Sequence, residues 1–162
     1  MSNSTSNHYV SLTTFIRNDK QLINEELIRI IMKQLLVPLT FLQKKGLTLS
    51  QINPDEIFIC KTSKHVFFKT LSPVPSRNEK EDLSRLIWSI GLLFLKMASI
   101  LSKVNFNQLK LIQMVSDGNA IDEIEISKTA WNLLKKLLSK DPRKRISATD
   151  ALLHEWINEN PA

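Results

Sequence analysis

Asp55 and Glu56 stand side by side in Leu49-Ser50-Gln51-Ile52-Asn53-Pro54-Asp55-Glu56, and they are the only acids between Gly46 and Lys69. Carboxylates in pairs can hold a divalent cation, and a single one can move a proton. Glu56 has no partner at ligating spacing, so a metal site is not expected. His8 and His65 have no histidine or cysteine neighbours at metal spacing, and Cys60 alone makes no site. Ser50 lacks a recognisable base and orienting acid nearby, so a hydrolase triad is not supported. The densest charge cluster is Lys135, Lys136, Lys140, Arg143, Lys144 and Arg145, in a chain of net charge +6. It reads first as a solvated face that complements a helix C-terminus. A nucleic-acid surface is the alternative.

The elements that must position these residues follow from length and periodicity. With 162 residues and 43% hydrophobic content, one domain with one core is expected. The single Cys60 excludes an internal disulfide. The longest apolar stretch, Leu86 to Ile100, is interrupted by Ser89, Gly91 and Lys96, so no membrane span is expected. The N-terminus is Ser- and Asn-rich rather than basic-then-apolar, so no signal peptide is expected. An intracellular, cytoplasmic protein is expected, with the nucleus left open.

Residues 1–9 are polar and aperiodic and are expected to form a disordered tail, and 159–162 a C-terminal tail. Ser11 precedes a short helical pattern, Leu12, Phe15 and Ile16, that ends near Asn18-Asp19. Asn24 caps a long helix with Glu25 and Glu26 in its first turn and a stop at Lys44-Lys45-Gly46. Pro38 is expected to kink or break it. Ile57 to Cys60 and His65 to Phe68 read as a small hairpin around Lys61-Thr62-Ser63-Lys64. A Pro-containing linker, 72–80, precedes a helix from Leu83 to Ala98 that is apolar nearly all round and belongs at the centre of a domain. Helices are expected from about Asn107 to Val115, from Ser127, and after the box Ser147-Ala148-Thr149-Asp150 through Trp156 and Ile157. The architecture is mainly α, about six helices with one small β-hairpin.

Three stretches carry a resemblance. The tail from Ser127 to Ile157 contains Leu-Leu-Ser-Lys-Asp-Pro-Arg-Lys-Arg-Ile-Ser-Ala-Thr-Asp-Ala-Leu-Leu-His-Glu-Trp, which resembles the closing helices of serine/threonine protein kinases. Ile87-Trp88-Ser89-Ile90-Gly91 is similar to the central-helix motif of that family, with Leu86 in place of its aspartate. Leu49 to Glu56 resembles the catalytic loop H-R-D-L-x-x-x-N with its chemistry removed. Leu49 stands for the histidine, Ser50 for the arginine, Gln51 for the catalytic aspartate and Glu56 for the metal-holding asparagine.

The resemblance covers residues 10–158 and implies a kinase C-lobe without an N-lobe, since residues 1–9 leave no room for a Gly-rich loop and a phosphate-pairing lysine. It also implies that Lys69-Thr70-Leu71 takes the D-F-G position and Ser72-Pro73-Val74 the A-P-E position, with the activation loop between them deleted. Lys69 would put a positive charge where Mg²⁺ should sit. His154 and Trp156 match family packing positions. Arg145, which in the family pairs with the A-P-E glutamate, needs a new partner, with Asp82 or Glu81 as candidates, or it faces solvent.

The expectation is a catalytically inactive, truncated pseudokinase without cofactor, serving as a protein-binding or regulatory module. Phe67, Phe68 and Leu71, with Val66, Leu47 and Leu49, would form an apolar face that a kinase normally covers, and Arg145 a basic contact. The partner would be another protein, a kinase-like chain or a second copy. The alternatives are the C-lobe half of a split kinase, and a basic nucleic-acid-binding module.

Overall fold

A computed structural model describes residues 8–105 and 107–159. The expected N-terminal tail therefore lies outside the described residues over 1–7, and the C-terminal one over 160–162. Tyr9, assigned to that tail, instead opens a strand, β1 (Tyr9–Ser11), which pairs antiparallel with β3 (Ile57–Cys60). β4 (Val66–Phe68) pairs with the other edge of β3, so the expected hairpin is part of a three-stranded sheet ordered β1-β3-β4. A second ribbon joins β2 (Leu47–Thr48) to β5 (Val74–Pro75). It lies partly in the stretch expected to be a linker.

The rest is helical. Ser11 ends β1 and caps α1 (Leu12–Asn18), its hydroxyl accepting from the Thr14 N–H at 3.1 Å. Asn24 caps α2 (Glu25–Lys44) by accepting from the Leu27 N–H at 2.7 Å. The helix runs unbroken through Pro38. Its buried stripe (Leu27, Ile28, Ile31, Leu35, Leu39, Leu42) places tertiary burial against the local preference of one proline. The amide of Gln34 docks the sheet onto this helix, donating to Lys64 O at 2.9 Å and accepting from Val66 N at 2.9 Å.

α3 (Glu79–Leu101) is the central helix, with Leu86, Ile90, Phe94 and Met97 fully buried. Among the described residues it is the one helix long and apolar enough to cross a membrane by length and composition. Here its apolar surface packs against α2 and α5 (Lys128–Leu137). α4 (Gln108–Ser116) follows α3. The final helix is two, α6 (Ala148–Leu153) and α7 (Glu155–Asn158), separated at His154, whose ψ of 140° is extended. Ser147 caps α6, accepting from Asp150 N at 3.1 Å. The described residues thus hold seven α-helices where about six were expected.

Gly91 lets α3 approach the end of α5. A Cβ there would lie 2.7 Å from Leu138 Cδ2 and 3.1 Å from Leu137 Cβ, closer than packed carbons tolerate. Gly91→Ala is expected to destabilise by about 1–3 kcal/mol through overpacking, measured by urea unfolding, although alanine favours a helix.

His154 is buried as expected. Its Nδ1 accepts from the Trp156 N–H at 3.1 Å, so Nε2 carries the proton and donates to Asn132 Oδ1 at 2.8 Å. Burial, helped by Lys136, lowers its pKa from the ordinary imidazole value, against Glu155 and Glu159. The folded state thus disfavours the proton. This contribution to stability is complete above about pH 6.5, the unfolded value, and is lost as pH falls through the lower folded value. The melting temperature is expected to fall as pH drops from about 7.5 through 6.5 and below, and His154→Gln to flatten that slope.

Candidate functional site

β2 delivers the chain to the loop 49–56 with Thr48 and Leu49 buried and the side chains of Ser50 and Gln51 exposed. The loop is clamped by an arginine that sequence reasoning overlooked. Arg85, on α3, donates from its guanidinium to Ser50 O at 2.6 Å and to Leu49 O at 3.3 Å. Asn53 then organises a 3₁₀ turn, Pro54–Glu56, its side-chain oxygen accepting from Asp55 N at 3.0 Å and its carbonyl from Glu56 N at 2.9 Å. Asp55 and Glu56 point to solvent. Among the described residues no cluster of three or more His, Cys, Asp or Glu exists that could hold a metal.

Strand pairing brings Lys69 beside Glu56: the Lys69 N–H donates to Glu56 O at 2.7 Å. The Lys69 ammonium lies 5.4 Å over the Phe58 ring, a cation–π position. Neither Lys69 nor the adjacent Thr70 brings a carboxylate to this edge. After β4 the chain returns directly to the mouth of the loop, where Val74 pairs with Thr48 and Ser76 N donates to Gly46 O at 3.0 Å. Glu56 and Lys69 are therefore joined through their backbones, and Gln51 stands exposed earlier in the same loop.

The surface expected from Phe67, Phe68 and Leu71 is arranged differently. Successive residues of a strand point to opposite faces. Phe68, opposite Ile57, packs against the core, as do Val66 and Ile59. Leu49 and Val66 are buried, so they leave the proposed face. Leu71 remains exposed, just beyond the sheet. Phe67 turns outward beside Phe58, their ring centroids 6.0 Å apart, and Tyr9 meets Phe67 edge-on at 5.1 Å. His65 stacks on Phe67 at 5.7 Å. The half-exposed outer face is thus Tyr9, Phe58, His65 and Phe67, with Lys69 at its edge. Tyr9 was missed because its place depends on β1, and Phe58 because its face depends on the register of β3 against β4.

Arg145 takes neither of its expected carboxylate partners and is half-buried rather than exposed. Nε and Nη2 donate to Ser139 O at 3.2 and 2.9 Å, and Nη1 to Ser84 O and Oγ at 2.9 and 3.0 Å. The Trp88 ring lies 4.8 Å away. Asp82 accepts from Ser76 Oγ at 2.8 Å instead. Lys136, Lys140, Arg143 and Lys144 remain exposed around the end of α5, where cations complement its carbonyl terminus.

A long α2, a central apolar α3, the loop 49–56 between them and the α5 to α7 tail together define a protein-kinase-like C-lobe. No family model matches the chain. It is related to serine/threonine protein kinases: it is 28% identical over 168 residues to the serine/threonine-protein kinase cds1 of Schizosaccharomyces pombe, covering 83% of this chain and 36% of that protein. It is 27% identical over 179 residues to the serine/threonine-protein kinase atg1 of Dictyostelium discoideum, covering 90% of this chain and 25% of that protein. A putative ribosomal protein S6 kinase alpha-1 of Caenorhabditis elegans is 28% identical over 115 residues, 64% of this chain and 14% of that protein. The chain thus spans about a third or less of the length of these curated relatives.

Proposed function

We propose that this chain is a catalytically inactive kinase-like module that binds another protein through the outer face of its three-stranded sheet. One observation carries the reading. Beside the loop where phosphoryl transfer needs carboxylates, the chain presents the rings of Tyr9, Phe58 and Phe67 and the ammonium of Lys69. Gln51 cannot accept a proton as a base, and Lys69 repels Mg²⁺. Aromatic side chains give large contact area at low entropic cost, which suits a protein interface. The partner is another protein, a kinase-like chain or a second copy.

The test has two readouts. Saturating ATP with Mg²⁺ is expected to leave the melting temperature unchanged. A nucleotide bound at a hundredfold excess over its Kd would stabilise by about 2.7 kcal/mol and raise it by roughly 5–10 °C. Such a rise would favour a kinase half completed by another chain. In parallel, Phe67→Asp is expected to abolish recovery of a partner from native extract that the unsubstituted chain retains. Recovery unchanged by that substitution overturns the assignment of the face.

A further inference from the structure

Arg145 makes no ion pair among the described residues. A guanidinium offers five N–H donors, and the contacts to Ser139 O, Ser84 O and Ser84 Oγ engage four of them. The Ser84 hydroxyl is committed in turn, donating to Pro142 O at 3.0 Å. All these partners are neutral. Among the described residues no carboxylate oxygen lies within 4.0 Å of this guanidinium. Burial lowers its pKa from the ordinary guanidinium value, and Asp141 offsets this only in part. Asp141 is itself engaged by Arg143, accepting from its N at 2.9 Å and its Nε at 3.3 Å.

This cation lines an open cleft of about 470 Å³ between the first turns of α3 and the segment joining α5 to α6. Lys80 and Arg143 add positive charge to its lining, and Glu81 is the one carboxylate there among the described residues. Leu83, Pro142 and Ile146 give its wall accessible apolar surface, backed by the buried Ile87 and Ala148. We propose that this cleft docks an acidic peptide segment of a partner protein, one that places a carboxylate next to an apolar side chain. The carboxylate meets the excess positive charge of Arg145, Arg143 and Lys80, and the apolar side chain covers Leu83 and Pro142. A cavity of this size suits a small number of side chains. A nucleic-acid backbone would satisfy the cations and leave the apolar wall wet. The proposal shares no residue with the sheet face and stands independently of it.

The probe is a fluorescein-labelled octapeptide pool with Asp or Glu fixed beside Leu, Ile or Phe, compared by anisotropy with a pool carrying Asn or Gln instead. Arg145→Ala is avoided because Arg145 ties Ser139 to Ser84. The variant is Lys80→Glu with Arg143→Glu, both exposed. The acidic pool is expected to bind, to bind about tenfold or more weakly to the variant, and to weaken with salt. Equal binding of the amide pool, unchanged binding to the variant, or no acidic binding at about 1 mM protein overturns the proposal. Displacement of the bound acidic pool by a short DNA duplex assigns the cleft to nucleic acid and overturns it equally.

Discussion

Trp156→Ala is expected to lower the unfolding free energy by about 3–5 kcal/mol and the melting temperature by on the order of 10 °C. The indole is fully buried, lies 4.8 Å from the Phe94 ring of the central helix, and carries the Arg29 guanidinium 5.1 Å from its own ring. Truncation leaves a cavity between α3 and α7 that close-packed neighbours fill only in part. It also removes the Nε1–H donor that Glu25 accepts at 2.9 Å. Arg29 Nε still donates to the Trp156 carbonyl at 2.7 Å, and Arg29 pairs with Glu26 and with Glu159, the latter at 3.0 Å. Urea unfolding measures the loss. Trp156→Phe separates its parts: the ring stack survives, the hydrogen bond does not, and the cost is expected to fall to about 1–3 kcal/mol. Equal losses for both variants would show that the hydrogen bond, not the packing, dominates.

The second large effect belongs to Glu25. Its carboxylate, in the first turn of α2, accepts from the Ser127 N–H at 3.2 Å, from the Ser127 hydroxyl, and from Trp156 Nε1. Ser127 is also the cap of α5, accepting from Ala130 N at 3.2 Å. One carboxylate therefore sits at two helix N-termini, where backbone dipoles favour negative charge, and ties α2 to α5 and α7. Glu25→Ala is expected to cost about 2–4 kcal/mol, because charged hydrogen bonds are worth about 1.5–3 kcal/mol and donors are left unpaired. Glu25→Gln keeps an acceptor oxygen and is expected to recover about half. In a double-mutant cycle, Glu25→Ala and Trp156→Phe are expected to couple by about 1 kcal/mol. Strict additivity would mean that the Trp156 to Glu25 contact contributes nothing.

Much of the scaffold was legible residue by residue. Ser11, Asn24, Ser127 and Ser147 each announced a helix start and each caps one, because a cap is decided within a single turn. The all-round apolar pattern of Leu86 to Met97 marked the central helix, since burial on every side leaves no polar stripe. The side chains of Gln51 and Lys69 were equally plain, because residue identity is the same in any fold. The helix ends were less legible: α3 begins at Glu79, and the last helix divides at His154.

The functional surfaces were not legible in the same way. Phe67 and Phe68 are neighbours in sequence, and only the register Phe58↔Phe67 and Ile57↔Phe68 sends one outward and the other into the core. Tyr9 joins the aromatic face because β1 pairs with a strand some fifty residues away, as Tyr9 stands opposite Cys60. Arg85 and Arg145 carry the same charge on long side chains, and which carbonyls they hold, Ser50 or Ser139, depends on how α3 lies across the loop and the end of α5.

The sequence by itself determined the helices, their caps, the central apolar segment and the side chains of the loop Leu49 to Glu56, because each is written within one or two turns. Only the tertiary structure decided which rings share a face, which arginine clamps the loop and which one lines a cleft with only neutral hydrogen-bond partners. Those outcomes rest on strand register and on donor–acceptor choices between residues far apart in the chain, which short-range preference does not encode.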